Sequence, residues 1–248
     1  MDHPAGVVGV IAQDTARFSM FPASLSKIEV PQGTAINWKI GHAIAENTNA
    51  LVEDLLYNED MEWLWILGDD HAFGPTCLMN LLDTLYDPSV EADIVVPLCL
   101  TRMPPYKPVI FEGFADDEGR LRRRVNLNGP PRRHGVIPIH SAGSAGMLVR
   151  RRVFEQLERP WFEAYRISTT TIGEDVYFCD KAREAGFKLF CDLNVRFGHI
   201  TSSVVWPAIA ESGHWTYGFG FAGGLKVTMP ADSWADADLL AEGAGSDV

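Results

Sequence analysis

Met61 to Phe73 reads MEWLWILGDDHAF, and the reading of this stretch decides the fold. Met61 to Leu67 is an unbroken apolar run rich in β-formers, the pattern of a strand buried on both faces. Gly68 ends it, and Asp69, Asp70 and His71 follow at once. Upstream, Gly6 to Ala12 (GVVGVIA) is a second such run, and the QDTARFSMFPASL after it reads as a loop at that strand's C-terminal end. From Thr34, apolar residues recur at Ile36, Ile40, Ile44, Leu51 and Leu55, which predicts a helix with a break near Asn47–Asn49. Downstream, Pro75 opens a predicted helix that turns Leu78, Leu81, Leu82 and Leu85 inward. Ala92 to Pro97 is a third strand. Strand, helix, strand, helix, strand within about 90 residues marks a parallel α/β sheet.

After Leu98 the character changes. Pro and Gly become frequent, and the stretch from Thr101 to Gly143 reads as loops and irregular strands. A strand is predicted near Ala145–Val149, a short helix over Arg151–Leu157, and a helix over Glu174–Ala185 with Gly186 as its stop. Phe187–Cys191 and Val195–Ile200 are expected as strands. The organisation expected is one domain over 1–225, with halves 1–98 and 99–225, and an acidic, frayed tail over 226–248. After Pro230 that tail carries Asp232, Asp236, Asp238, Glu242 and Asp247 and no base.

The chain has 248 residues, 46% of them hydrophobic and 22% charged, enough to bury a sizeable core. No apolar run reaches the roughly 18 residues of a membrane span, and the N-terminus lacks the order of a secretory signal, so a cytoplasmic protein without membrane insertion is expected. Cys77, Cys99, Cys179 and Cys191 form no CxxC pair and read as small buried hydrophobes. A net charge of −12 excludes global attraction to nucleic acid. Between Arg120 and His134, however, stand six arginines (120, 122, 123, 124, 132 and 133) and no acid. Such a loop can hold an anion locally; the plainer reading is a solvated loop neutralised by Asp116, Asp117 and Glu118.

Four segments could carry chemistry. Gly68-Asp69-Asp70-His71 lies where ligands bind in a parallel sheet, at a strand's C-terminal end. Two adjacent carboxylates there suit a divalent cation such as magnesium or manganese, although Gly and Asp also simply favour turns. Gly173-Glu174-Asp175 opens a helix in which Asp175, Phe178, Cys179 and Ala182 share one stripe. Asp175 therefore points to the apolar side, where a lone charge is unfavourable, and is the better base; Glu174 is the better cap or hydroxyl acceptor. His199 alternates with Val195 and Phe197 on one strand face, either as a core histidine or as a ligand. In His140-Ser141-Ala142-Gly143-Ser144-Ala145-Gly146, small residues let backbone amides approach a phosphate or let strands pack tightly.

Together and in this order, the four segments resemble the GT-A nucleotide-sugar glycosyltransferases, especially the family-two-like enzymes and their phage-encoded relatives. The likeness runs from about Val7 to Ile200. WLWILGDDHAF is similar to that family's strand and acidic metal motif, GSAGMLVRRRVFEQL to its small-residue and arginine segment, and IGEDVYFCDKAREAGFKLFCD with GHI to its Glu-Asp helix and metal histidine. The resemblance implies a GT-A-like α/β fold, a Rossmann-type mostly parallel sheet with helices on both faces and a smaller mixed acceptor-side region. It also implies an inverting transfer of sugar from a nucleotide-diphosphate sugar, a UDP-sugar first, with Mn2+ or Mg2+. Asp70 and His199 would hold the metal, and Asp69 would contact metal or ribose. Asp175 would deprotonate the acceptor hydroxyl, with Glu174 near the acceptor. Ala12, Gln13 and Asp14 would meet the nucleotide base, Asn49 would lie close to the nucleotide, and Gly143 and Ser144 would approach the donor. Segment 101–135 would be an acceptor-side lid whose arginines suit DNA carrying hydroxylated bases or a phage protein. Two departures stand out. Gly68 occupies the first position of the family's Asp-x-Asp, which leaves an alternative frame of Asp69-x-His71. Thr48 stands where the family has Arg. The rival readings are a nucleotidyltransferase and a non-catalytic nucleotide-sugar-binding protein.

Overall fold

The structure, a computed structural model, describes residues 2–12, 19–102, 106–113, 122–127, 134–167, 170–201, 204–210, 213–220, 226–229 and 239–240. The first half runs β1 (Val7–Ala12), α1 (Met20–Leu25), β2 (Ala35–Ile40), α2 (Ile44–Tyr57), β3 (Trp63–Gly68), β4 (His71–Ala72), α3 (Cys77–Tyr86) and β5 (Ile94–Leu98). The next strands are β6 (Ile110–Gly113), β7 (Arg122–Arg124), β8 (Val136–Pro138), β9 (Ser141–Ala142) and β10 (Met147–Arg150). Then come α4 (Arg151–Gln156), the hairpin β11 (Tyr165–Ile167) and β12 (Thr170–Ile172), and α5 (Glu174–Glu184). The last strands are β13 (Leu189–Arg196), β14 (Gly198–Ile200), β15 (Val204–Ile209), β16 (Trp215–Gly220), β17 (Lys226–Met229) and β18 (Leu239–Leu240).

Seven strands form the central sheet in the order β2-β1-β3-β10-β5-β13-β8. Pairings β1–β2, β1–β3 and β5–β13 are parallel; β10 and β8 run against their neighbours. Alternate residues of each central strand feed two cores. Val7, Ile11, Leu64 and Ile66 pack with residues of α2, α4 and α5, whereas Val8, Val10, Trp65 and Leu67 pack with α3 and Phe21 of α1. Burial on both faces is why these strands read as continuous apolar runs rather than alternating ones. A second sheet, β17-β16-β15-β14-β4, and a third, β18-β7-β6-β9, complete the mixed region. This is a GT-A-like arrangement, as the resemblance implied.

The helix predicted from Thr34 is corrected. Residues 35–40 are strand β2, and the helix starts only at Ile44 after Gly41, whose φ is +85°. Positions 36 and 40 satisfy a period of four and a period of two alike. Trp38 between them and the parallel ladder offered by β1 select the strand. Its Ile36, Trp38 and Ile40 face outward, each more than 40% exposed. The predicted helix at Pro75 begins two residues later, at Cys77. The two predicted strands 187–191 and 195–200 are regrouped: β13 runs through to Arg196 with an irregular register after Asp192, and Gly198 starts the second sheet. Within the segment expected as a frayed tail, Lys226–Met229 pairs with β16 and Leu239–Leu240 with β7.

The arginines after β10 have structural work. Arg151 caps the C-terminus of α2 by donating from Nη1 to the carbonyls of Leu55 (3.0 Å) and Asn58 (2.7 Å), and from Nη2 to that of Leu56 (3.1 Å). These are the carbonyls a helix end leaves unpaired, and a cation there also meets the negative end of the dipole. Arg150 donates to the carbonyls of Ala92 and Leu85 and lies over the Tyr86 ring. All four cysteines are free and buried. No helix among the described residues is long and apolar enough to cross a membrane.

Candidate active site

The parallel strands β1, β3 and β5 end at one edge of the central sheet, and a cavity of about 410 Å³ opens there. Its walls include Ala12, the Gly68–His71 turn, Cys99 and Arg102 after β5, Gly143–Ala145, Glu174 and Asp175 at the start of α5, and His199. Local geometry explains the convergence. The Asp69 amide donates to the Ile11 carbonyl (3.1 Å), so the acidic turn continues the β1–β3 ladder. Immediately beyond, β4 pairs antiparallel with β14 in the register His71–His199. The two imidazoles stack, with centroids 4.8 Å apart and planes 26° from parallel.

Asp70 stands at the centre of this corner. Its carboxylate lies 3.0 Å from His71 Nδ1, 3.5 Å from His199 Nε2 and 2.7 Å from Arg102 Nη2. Burial works to raise its pKa, but hydrogen bonds and charge from His199 and His71 outweigh burial and hold the carboxyl well below the usual range. His199 Nδ1 donates to the Leu100 carbonyl at 2.8 Å. That bond fixes the orientation of the ring and turns its Nε2 towards the Asp70 carboxylate, so both can reach one ion. His71 Nδ1 is held between Asp70 and the Gly68 carbonyl (3.3 Å), while its buried Nε2 has no hydrogen-bond partner. The residues present therefore fit a divalent cation.

Asp175 faces the cavity from the first turn of α5, on the stripe of buried Phe178, Cys179 and Ala182. Its Oδ1 accepts the Val176 amide at 2.7 Å, and the Ser144 amide also bonds it. Burial first, and then the charge of Glu174, push its pKa up to about 6 despite those amides. A Cβ at position 173 would lie 2.5 Å from Asp175 Oδ1, so glycine there leaves the carboxylate in place. The small residues Gly143 and Ser144 thus bring backbone to Asp175 as well as lining the cavity.

The predicted residues Asp70, His199, Asp175, Glu174, Ala12, Asp69, Gly143 and Ser144 share this one cavity. Asn49 is not among its lining residues. Its Nδ2 donates to the carbonyls of Ala45 (2.9 Å) and Phe162 (2.8 Å), and its Oδ1 accepts the amides of Trp161 and Phe162, so it ties α2 to the chain after α4. Asn47, which sequence reasoning passed over, is the α2 amide in the wall, donating to the His42 carbonyl at 3.2 Å. Cys99 and Arg102 were also missed. The rule that singled out Gly68–His71, a loop at a parallel strand's C-terminal end, applies equally to them. Gln13 and Asp14 lie outside the described residues, as do Arg120, Arg132 and Arg133. Arg122–Arg124 form β7, where Arg124 donates to the Pro108 carbonyl (2.7 Å) and lies over Phe111.

No protein-family model matches the chain, and no curated protein matches it. Solved structures do. Protein A197 from STIV superposes with a TM-score of 0.53 at 12% identity, over 85% of this chain and 92% of that one. GalNAc-T7, crystallised with UDP, GalNAc and Mn2+, matches with a TM-score of 0.53 at 13% identity, over 80% of this chain. This chain spans 44% of the length of GalNAc-T7. At these identities the likeness is one of fold.

Proposed function

We propose that the chain is a metal-dependent glycosyltransferase that moves a sugar from a nucleotide-diphosphate sugar, a UDP-sugar first, to an acceptor hydroxyl. The observation that carries this reading is the pairing in one cavity of a cation-seeking Asp70–His199 corner with a buried carboxylate, Asp175, poised near pH 6. Asp70 and His199 would hold the divalent cation, with Asp69 beside them. Held there, it would supply positive charge for the leaving diphosphate.

The chain's own groups do the rest. Asp175 accepts the proton of the attacking hydroxyl at its carboxylate, and a pKa raised towards neutrality strengthens it as a base. Glu174, next along the helix, orients the acceptor. A single displacement then inverts the anomeric centre. Ala12, Gln13 and Asp14 hold the base, Gly143 and Ser144 admit the donor closely, and Asn47 takes the role that the resemblance gave to Asn49. The Arg120–Arg133 segment meets the acceptor, DNA with hydroxylated bases or a phage protein.

A second reading, a non-catalytic nucleotide-sugar-binding protein, is favoured by Gly68 at the position where a first metal acid is expected. Thermal unfolding with a panel of nucleotide sugars, with and without Mn2+ or Zn2+, tests the binding half. A donor-specific rise in Tm that needs the cation and is lost in Asp70→Ala supports the metal site, because a ligand of the folded state must stabilise it. No rise with any donor overturns both readings. Turnover lost in Asp175→Asn with donor binding kept separates transferase from binder.

A further inference from the structure

The donors around the cavity's cation corner are not only the oxygens that the GDDH turn suggests. His71 and His199 share it with Cys99, and one ligand atom from each of the three lies within 4.8 Å of the others. Cys99 is 3% exposed and lines the cavity directly after β5. The two imidazoles are prepared in the same way. Each gives its Nδ1 to an acceptor, the Asp70 carboxylate and Gly68 carbonyl for His71 and the Leu100 carbonyl for His199; His71 Nε2 is then open, and His199 Nε2, 3.5 Å from Asp70, would exchange that contact for a metal bond. A histidine that binds metal through one ring nitrogen usually gives the other to such an acceptor. His71 Nε2 is the telling atom. It is buried and has no partner in a side chain only 8% exposed, a state that is unfavourable unless something is bound there.

We propose that His71, His199 and Cys99 form a thiolate–imidazole site selective for zinc-class ions over Mn2+ or Mg2+, with Asp70 as the neighbouring anionic ligand. Imidazole and thiolate suit zinc and cobalt, whereas magnesium and manganese prefer an oxygen shell. Zinc bonds imidazole nitrogen at about 2.0–2.1 Å and thiolate at about 2.3 Å. Ligands on one tetrahedral zinc stand roughly 3.5 Å apart, so the cluster must close by side-chain rotation when the ion binds. On ligation the Cys99 Sγ–H bond gives its proton to solvent as the sulfur–metal bond forms. The inference concerns the metal alone; it deepens the transferase reading without needing a donor to be tested.

The test uses the full chain, reduced, stripped of metal and titrated with cobalt(II). A thiolate-to-cobalt charge-transfer band should appear, vanish in Cys99→Ser and persist in Cys191→Ser, whose buried sulfur does not line the cavity. Zinc should displace cobalt at concentrations at least ~100-fold below those at which Mn2+ does, and Cys99→Ser should narrow that ratio by at least ~10-fold. Should Cys99→Ser fail to fold, X-ray absorption of the zinc-loaded wild-type chain counts sulfur neighbours directly, and one is expected. A nitrogen-and-oxygen shell, a band that survives Cys99→Ser, or equal displacement by Mn2+ overturns the proposal. Zinc held through Cys99 in a chain that binds no nucleotide sugar would sink the transferase reading and leave this one standing; donor binding with no sulfur at the metal does the reverse.

Discussion

Two carboxylates of the same cavity are driven in opposite directions. Asp70 and Asp175 are both largely withdrawn from water, and for each, burial is the largest single influence on the proton. At Asp70 it is overcome, because hydrogen bonds and charge from His199 and His71 favour the carboxylate. At Asp175 it prevails, because the partners are neutral backbone amides and the nearest charge, Glu174, repels. Burial depth therefore does not decide whether a carboxylate serves as ion ligand or as base. The number of positive partners does, and that number is set by which strand ends and helix starts meet at the cavity.

The hardest test of this contrast is kinetic. Asp175→Asn should lower kcat by ~10²–10⁴-fold, the usual range for a lost general base, with donor binding unchanged; turnover near wild type removes Asp175 from the base role. In the wild type, kcat/KM should rise with pH through about 6 as Asp175 ionises.

Stability separates the two acids next. A carboxyl whose folded pKa is raised makes the folded state bind the extra proton, so its ionisation destabilises as pH rises from about 4 through about 6. Asp175→Asn should thus raise stability at pH 7 by on the order of 1–3 kcal/mol and change little below pH 4. Asp70→Asn in metal-free protein should do the opposite at pH 7, with a loss of about 3 kcal/mol, because His71 and Arg102 lose their anionic partner. Urea unfolding at pH 4 and pH 7 reads both. A shift of the same sign for both acids at pH 7 breaks the comparison.

The smallest effect belongs to Arg102. Its side chain is 41% exposed, so its pair with Asp70 should contribute no more than about 1 kcal/mol. Arg102→Ala should leave Tm nearly unchanged while tightening metal binding several-fold, since a competing cation has gone. Weaker metal binding in that variant, read by cobalt titration, would mean that Arg102 shapes the site rather than competing for it.

How much of this was legible varies from residue to residue. The β1, β3 and β5 runs stood out because strands buried on both faces must be apolar throughout, and the GDDH turn stood out because it follows one of them. Asp175 was legible from the stripe it shares with Phe178, Cys179 and Ala182. The stretch 34–40 was not, since its spacing satisfies helix and strand alike and only the open ladder of β1 chooses between them. Asn47 rather than Asn49 reaches the cavity because polar residues two apart on a helix face different ways, and packing against residues 161 and 162 sets the rotation. Cys99 read as a plain buried hydrophobe, which it is until the register of β4 and β14 places two imidazoles beside it.

By itself, then, the sequence determined the alternation of buried strands and amphipathic helices, the edge of the sheet at which ligands gather, and the residue types available there. Those are local properties, written in periodicity and in turn chemistry. The tertiary structure alone decided which side chains from residues 70, 99, 102, 175 and 199 face one another. With that it decided which acid stays charged, which holds its proton longer and which donors could share an ion. These outcomes depend on distances between groups far apart in the chain, and such distances exist only once strand register and helix rotation are set.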